Sequence, residues 1–195
     1  MKIESLGIDG AWIIKSKLNL DLRGSFHEWF NYDEFKRYIE IPFEPRQANI
    51  SKSVNGVIRG IHYSLSKAGQ SKLVTCVGGR INDVIVDIRQ GSPTYGEWVS
   101  IEISAFDGQS ILIPRDLGHG FSALEDETCV SYLQSSTYSP GEEFGVNPLD
   151  DSLKIDWRVR SEIIKISDKD SLAPTLLQQY KSNLLPRYLP ERGNI

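Results

Sequence analysis

The chain of 195 residues holds two cysteines, one methionine and three histidines, and no long apolar run. Cys76 and Cys129 are too few for a disulfide framework and stand in no CxxC or Cys/His spacing. They are expected to be buried free thiols in a reducing compartment, the cytoplasm. No stretch approaches the roughly 18 apolar residues of a membrane helix, and KIESLGIDGAW after Met1 lacks the apolar core of an export signal. No membrane partner is expected. Positive charge is short as well: 22 Lys and Arg against 26 Asp and Glu leave a net charge of −4 with no basic run, which argues against nucleic acid. A local basic pocket stays open.

What is present fits a single domain over residues 1–195, since 39% hydrophobic and 25% charged residues suffice for a core without staples. From about residue 45 to residue 135 short apolar stretches follow one another: QANIS, GVIRGIHYSL, SKLVTCV, RINDVIVDI, EWVSIEI, SILIP and TCVSYL. Gly, Pro, Asn, Asp or Ser bound each of them, the rhythm of an antiparallel β-sandwich or barrel. In INDVIVDI, Val84, Val86 and Ile88 share one face, and Asp83 and Asp87 the other. The predicted fold is mainly β, a double-sheet jelly roll of the cupin kind whose interior is the natural ligand cavity.

Two flanking segments read as helices packed outside the sheets. Asn31 caps DEFKRYI, with Phe35, Tyr38 and Ile39 on one face and Pro42 as its stop. Pro174 sits where a first turn tolerates proline, ahead of Leu176, Leu177, Tyr180 and Leu184 in a helical tail over 161–195 that packs on the core. The Gly- and Pro-rich stretch 138–153 reads as a long loop on the rim of a site.

The chemically versatile residues have ordinary readings of their own. His62 in RGIHYSL reads as a strand histidine with Arg59 on the opposite face, unless Gly60 introduces a bulge that turns both toward one mouth. His119, between two glycines in PRDLGHGFSAL, reads as a turn. Tyr132 reads as a rim aromatic, Lys72 as a solvated strand lysine and Asp170 as a helix N-cap. No second histidine or glutamate lies within five residues of His62, so no metal is expected, although spacing alone leaves a set of His62, His119 and Asp83 open.

Taken in order, DLRGSFHEWF, RQANISKSVNGVIRGIHY, SKLVTCVGGRINDVIVDIRQGSPTYGEW, ILIPRDLGHGFSAL and ISDKDSLAP resemble the dTDP-4-dehydrorhamnose 3,5-epimerase family over about residues 8–177. The resemblance implies a cupin-like jelly roll without metal or other cofactor. It implies a homodimer whose sites borrow residues from the partner's N-terminal part, and a dTDP-linked 4-keto-6-deoxy sugar as substrate. On the matching positions, His62 falls on the general base, Asp170 on the carboxylate that orients it, Tyr132 on the acid of the opposite face and Lys72 on the cation facing the enolate. Arg23, Glu28, Gln47, Asn49 and Arg59 fall on nucleotide- and diphosphate-contacting positions, and His119, Tyr138 and Glu143 complete the substrate wall. The chemistry asks for such types, because a 4-ketone acidifies its neighbouring carbons and inversion needs a base on one face and an acid on the other. The missing GxGxxG agrees with a reaction that moves no hydride.

The match departs at RGIHYS, where the family usually has RGLHxQ: Ser64 replaces an amide that contacts sugar or base. HEWF and NPLD at 147–150 look more like members that serve unusual deoxysugar pathways, some of which invert only C3 or only C5, so inversion at C3, at C5 or at both stays open. A 3,4-ketoisomerase on the same fold and a non-catalytic sugar-nucleotide-binding cupin are the alternatives. The ISDKDSLAP segment stands against the first, and the joint presence of His62, Tyr132 and Asp170 against the second.

Overall fold

The structure, a computed structural model, describes residues 2–39 and 43–189. Its strands are β1 (Lys2–Ser5), β2 (Trp12–Lys15), β3 (Asn19–Asp21), β4 (Gly24–Phe26), β5 (Gln47–Ser53), β6 (Ile58–Ser64), β7 (Lys72–Gly78), β8 (Arg80–Val86), β9 (Trp98–Ser104), β10 (Gln109–Ile113), β11 (Gly118–Ala123), β12 (Thr128–Gln134) and β13 (Glu143–Gly145). One sheet has the order β1-β2-β10-β7-β12-β5 and the other β13-β6-β11-β8-β9. Neighbours run antiparallel throughout, giving the mainly β double-sheet jelly roll that the strand rhythm predicts. β3 and β4 pair only with each other, in an exposed hairpin.

Strand alternation sorts the apolar side chains into three layers. Ile81 and Ile85 of β8 meet Val74, Ile111, Phe121 and Val130 between the sheets. Val84 and Val86 point the other way, into a second core on the outer face of the five-stranded sheet, where Val146, Leu153, Trp157, Leu176 and Leu185 cover them. A third core joins Ile14, Leu73 and Leu112 of the six-stranded sheet to Phe35, Ile39 and Phe43. Both sheets are therefore covered on both faces, which is why β8 is buried on its Asp side as well as its Val side.

The first helix forms where the sequence predicts it, and the C-terminal tail is less helical than expected. α1 (Tyr32–Tyr38) is capped by Asn31, whose side chain accepts from the Asp33 and Glu34 N–H groups. Phe35 is buried while Tyr38 is exposed, and Pro42 lies outside the described residues. At the C-terminal end, α2 (Asp168–Ser171) and α3 (Leu176–Lys181) are separated turns, so the expected tail is helical only in part. Thr175, not Pro174, begins α3, because its hydroxyl and Gln178 form a reciprocal capping box. Leu177 and Tyr180 are exposed and Gln179 is buried, since its amide donates to the Gly145 carbonyl. Cys76 is buried as expected, whereas Cys129 is only half-buried, with its side chain on the outer side of β12. No helix among the described residues is long and apolar enough to cross a membrane.

Strand pairing modifies one expectation for a loop, which keeps its place on the rim of the cavity, and overturns another. The stretch 138–153 contains β13, which pairs with the end of β6. GHGFSA is not a turn but β11, buried along its whole length between β6 and β8. Its glycines serve a close approach of backbones. His119 stands opposite His62 and Phe121 opposite Arg59, so that Gly60 and Ile61 together face the single residue Gly120. This bulge shifts the alternation by one position, and Arg59 and His62 both turn inward while Ile58, Ile61 and Tyr63 enter the outer core. Gly60 has φ +123°, and a Cβ there would lie 2.5 Å from Gly120 Cα and 2.7 Å from the His119 carbonyl oxygen. Gly60→Ala is expected to cost about 2 kcal/mol or more, read as a lower urea midpoint at unchanged slope.

Candidate active site

A cavity of about 610 Å³ opens between the sheets, within the range of small-molecule sites. β5, β7 and β12 line one wall, β6, β11 and β13 the other, and the segment 165–170 adds a third side. Gln47, Asn49, Arg59, His62, Lys72, His119, Tyr132, Tyr138, Glu143 and Asp170 all border it. Sequence reading selects these ten, and the fold gathers them from seven separate segments. Arg23 and Glu28 do not reach this cavity. Arg23 lies on the exposed hairpin, its guanidinium 2.6 Å from Asp21 Oδ2, and Glu28 accepts from Asn31 Nδ2 at 2.9 Å.

Asp170 is not an N-cap. Ser167 caps α2 and its hydroxyl accepts the Asp170 N–H, which places Asp170 at the third helical position with its carboxylate turned toward β6. There Oδ1 lies 2.7 Å from His62 Nε2, and the Gly60 N–H donates to Oδ2 at 3.4 Å. Burial by itself raises the Asp170 carboxyl, but the hydrogen bond and charge of His62 and the Gly60 N–H outweigh it and hold it below the ordinary carboxylate value. The carboxylate is therefore charged at neutral pH. It sits behind the ring, with 8% of its side chain exposed against 37% for His62. Nδ1 is then the ring nitrogen with no protein partner among the described residues, and it is available for proton exchange.

Tyr132 lies on β12, across the cavity from His62 on β6, half-buried against the sandwich core. Lys72 begins β7 and is buried, contrary to its solvated reading, because β12 and β10 flank it on both sides. Burial pushes its ammonium below the ordinary lysine value, and the nearby Glu143 and Asp83 carboxylates push back. Asp83 is fully buried and holds His119 Nε2 at 2.8 Å. Each of the two histidines of the site thus has its Nε2 on a carboxylate of its own. No group of three or more His, Cys, Asp or Glu side chains suited to a metal occurs among the described residues.

The mouth is basic although the chain is acidic. Arg59, Lys165 and Lys169 border it, and none of them pairs with a carboxylate among the described residues. Arg59 is anchored by hydrogen bonds to Ser53 Oγ and the Lys52 carbonyl, both at 3.1 Å, which leaves part of its guanidinium for an anion. Sequence reading misses Lys165 and Lys169, and with them Gln70 and Gln134. Lys169 adjoins Asp170 within SDKD and could have been found there. The two glutamines carry no spacing signal.

These geometries predict a coupling within the dyad. His62→Ala removes both the hydrogen bond and the charge by which His62 lowers Asp170 and leaves burial opposed only by the Gly60 N–H and Ser167. The Asp170 carboxyl should then titrate higher than in the unsubstituted protein, as read by carbon-detected NMR of the labelled side chain. In the unsubstituted protein the stability linked to ionised Asp170 is present above the ordinary carboxylate value and lost as pH falls through the lowered one.

The sequence profile of the dTDP-4-dehydrorhamnose 3,5-epimerase family matches residues 5–178. A dTDP-4-dehydrorhamnose 3,5-epimerase of Mycolicibacterium smegmatis is 43% identical, the match covering 96% of this chain and 92% of the relative. A dTDP-4-dehydrorhamnose 3-epimerase of Streptomyces niveus is 42% identical over 96% of this chain and 90% of its own. The solved rmlC epimerase of Mycobacterium tuberculosis superposes with a TM-score of 0.92 at 40% identity, covering 96% of this chain and 94% of that one.

Proposed function

Since the chain belongs to the dTDP-4-dehydrorhamnose 3,5-epimerase family, we propose that it inverts a carbon flanking the ketone of a dTDP-4-keto-6-deoxyhexose, at C3, at C5 or at both. The observation that carries this reading is the cavity with a carboxylate-held histidine on one wall and a tyrosine on the opposite wall. A 3-epimerase and a 3,5-epimerase match the chain about equally well, so overall identity does not choose between one centre and two.

In this reading His62, oriented by Asp170, takes the proton from the carbon beside the ketone. The C–H electron pair becomes the C–C double bond of an enolate, and the carbonyl π pair moves onto oxygen. Lys72 faces that oxygen, where a cation held out of water stabilises the developing charge most strongly. Tyr132 then returns a proton to the opposite face of the same carbon, which inverts it, and solvent restores both side chains. Arg59 takes the diphosphate at the mouth. No redox step and no cofactor enters. The reaction belongs to the cytoplasm, where free Cys76 and Cys129 stay reduced.

Arg23 and Glu28 enter through a second copy of the chain. The β3–β4 hairpin stands apart from both large sheets and exposes Leu20, Leu22 and Phe26, an apolar surface suited to burial in a homodimer. In that arrangement each cavity receives the partner's hairpin, which brings Arg23 to the nucleotide end.

Two experiments test the reading. Incubation with dTDP-4-keto-6-deoxyglucose in D2O, with the label located by NMR, should place deuterium at C3, C5 or both. His62→Ala and Lys72→Met should each lower that exchange by about a hundredfold or more while dTDP still binds. Absence of label with the unsubstituted protein overturns the epimerase reading. Mixing inactive Arg23→Ala and His62→Ala protomers should restore about a quarter of the sites through heterodimers that hold one intact cavity. No recovery would mean that each site is complete within one chain.

A further inference from the structure

One row of side chains along the cavity wall has a direction. The Tyr138 N–H donates to Gln47 Oε1 at 2.8 Å, Gln47 Nε2 to Asn49 Oδ1 at 3.0 Å, and Asn49 Nδ2 to Gln134 Oε1 at 3.0 Å. Gln134 Nε2 donates in turn to Gln70 Oε1, and Gln70 Nε2 to Glu143 Oε1, both at 3.2 Å. All six residues border the cavity.

An amide can be turned end for end, but this row cannot, because its two termini are of fixed kind. A backbone N–H only donates, and an ionised carboxylate only accepts. Every amide between them must present its oxygen toward Tyr138 and its nitrogen toward Glu143. The row crosses from β5 and β12 of one sheet to β13 of the other, and Gln134 makes the link in its middle with 9% of its surface exposed. At its far end Gln70 holds Glu143 as an acceptor, whose charge acts on buried Lys72.

We propose that Gln134 and Gln70 are positioning residues for the nucleotide sugar, because they transmit a single hydrogen-bond polarity along the wall and so fix which end of Gln47 and Asn49 meets the ligand and where the Glu143 carboxylate stands. The proposal rests on the functional reading above. It accounts for two polar side chains buried at a ligand wall with their amides bonded at both ends within the row.

The polarity makes a reversal test available. In Gln134→Glu the new carboxylate still accepts from Asn49 but cannot donate to Gln70. Gln70 must turn, and its oxygen then faces Glu143. Glu143→Gln supplies a donor at that point and makes the reversed segment self-consistent. Calorimetric titration with dTDP is expected to show Gln134→Glu binding about tenfold or more weakly. The double variant is expected to bind within about threefold of Glu143→Gln alone. Losses that multiply in the double variant, or wild-type binding by Gln134→Glu, overturn the relay while the functional reading stands. Failure of the unsubstituted protein to bind dTDP overturns the functional reading itself and the relay's role in binding with it.

Discussion

The contact on which the site depends is between two backbones. Gly60 and Gly120 approach too closely for a side chain on either, and the bulge they permit puts one extra residue into β6. Without that bulge, Arg59 and His62, three positions apart, would fall on opposite faces of the strand, one inside the cavity and the other in the outer apolar core. With it, a cation for the mouth and an imidazole for the wall come from the same strand. The Gly60 N–H also points at Asp170, so the same irregularity helps hold the carboxylate that holds the ring.

Charge is arranged around this point by burial rather than by net balance. The chain is acidic overall, yet two of its buried carboxylates are each matched by a histidine, Asp170 by His62 and Asp83 by His119. What remains at the mouth is cationic. A buried lysine beside two carboxylates sits between opposing influences, desolvation drawing it toward neutrality and the anions toward charge. A catalyst of enolate chemistry benefits from that position, because the ammonium is poorly solvated and responds strongly to charge appearing nearby.

Much of this was legible in the sequence, and the parts that were not have physical reasons. Strands β5 to β10 and β12 were readable because short apolar stretches between Gly, Pro, Asn, Asp and Ser mark strands and turns, and Asn31 because a cap is a local interaction. β11 was hidden, since glycine signals a turn unless a second backbone lies against it, and nothing local announces that backbone. Asp170 looked like a cap because Asp is among the residues preferred there, while the true cap, Ser167, lay three positions earlier. The site residues came mainly through family resemblance. Residue chemistry alone gave His62 and Lys72 ordinary readings, and it passed over Gln70 and Gln134, whose importance lies in the order of their hydrogen bonds and not in their charge.

The segment that supplies Asp170 also roofs the outer face of the five-stranded sheet, with Val146, Leu153, Trp157, Leu176 and Leu185 lying over Ile58, Ile61, Tyr63, Val84 and Val86. Loss of its grip would do two things at once: release the histidine from its carboxylate and bare a broad apolar surface. In a cell such surfaces draw chaperones and proteases. A copy of the protein that has lost the His62–Asp170 contact in this way is thus marked for removal by the same event.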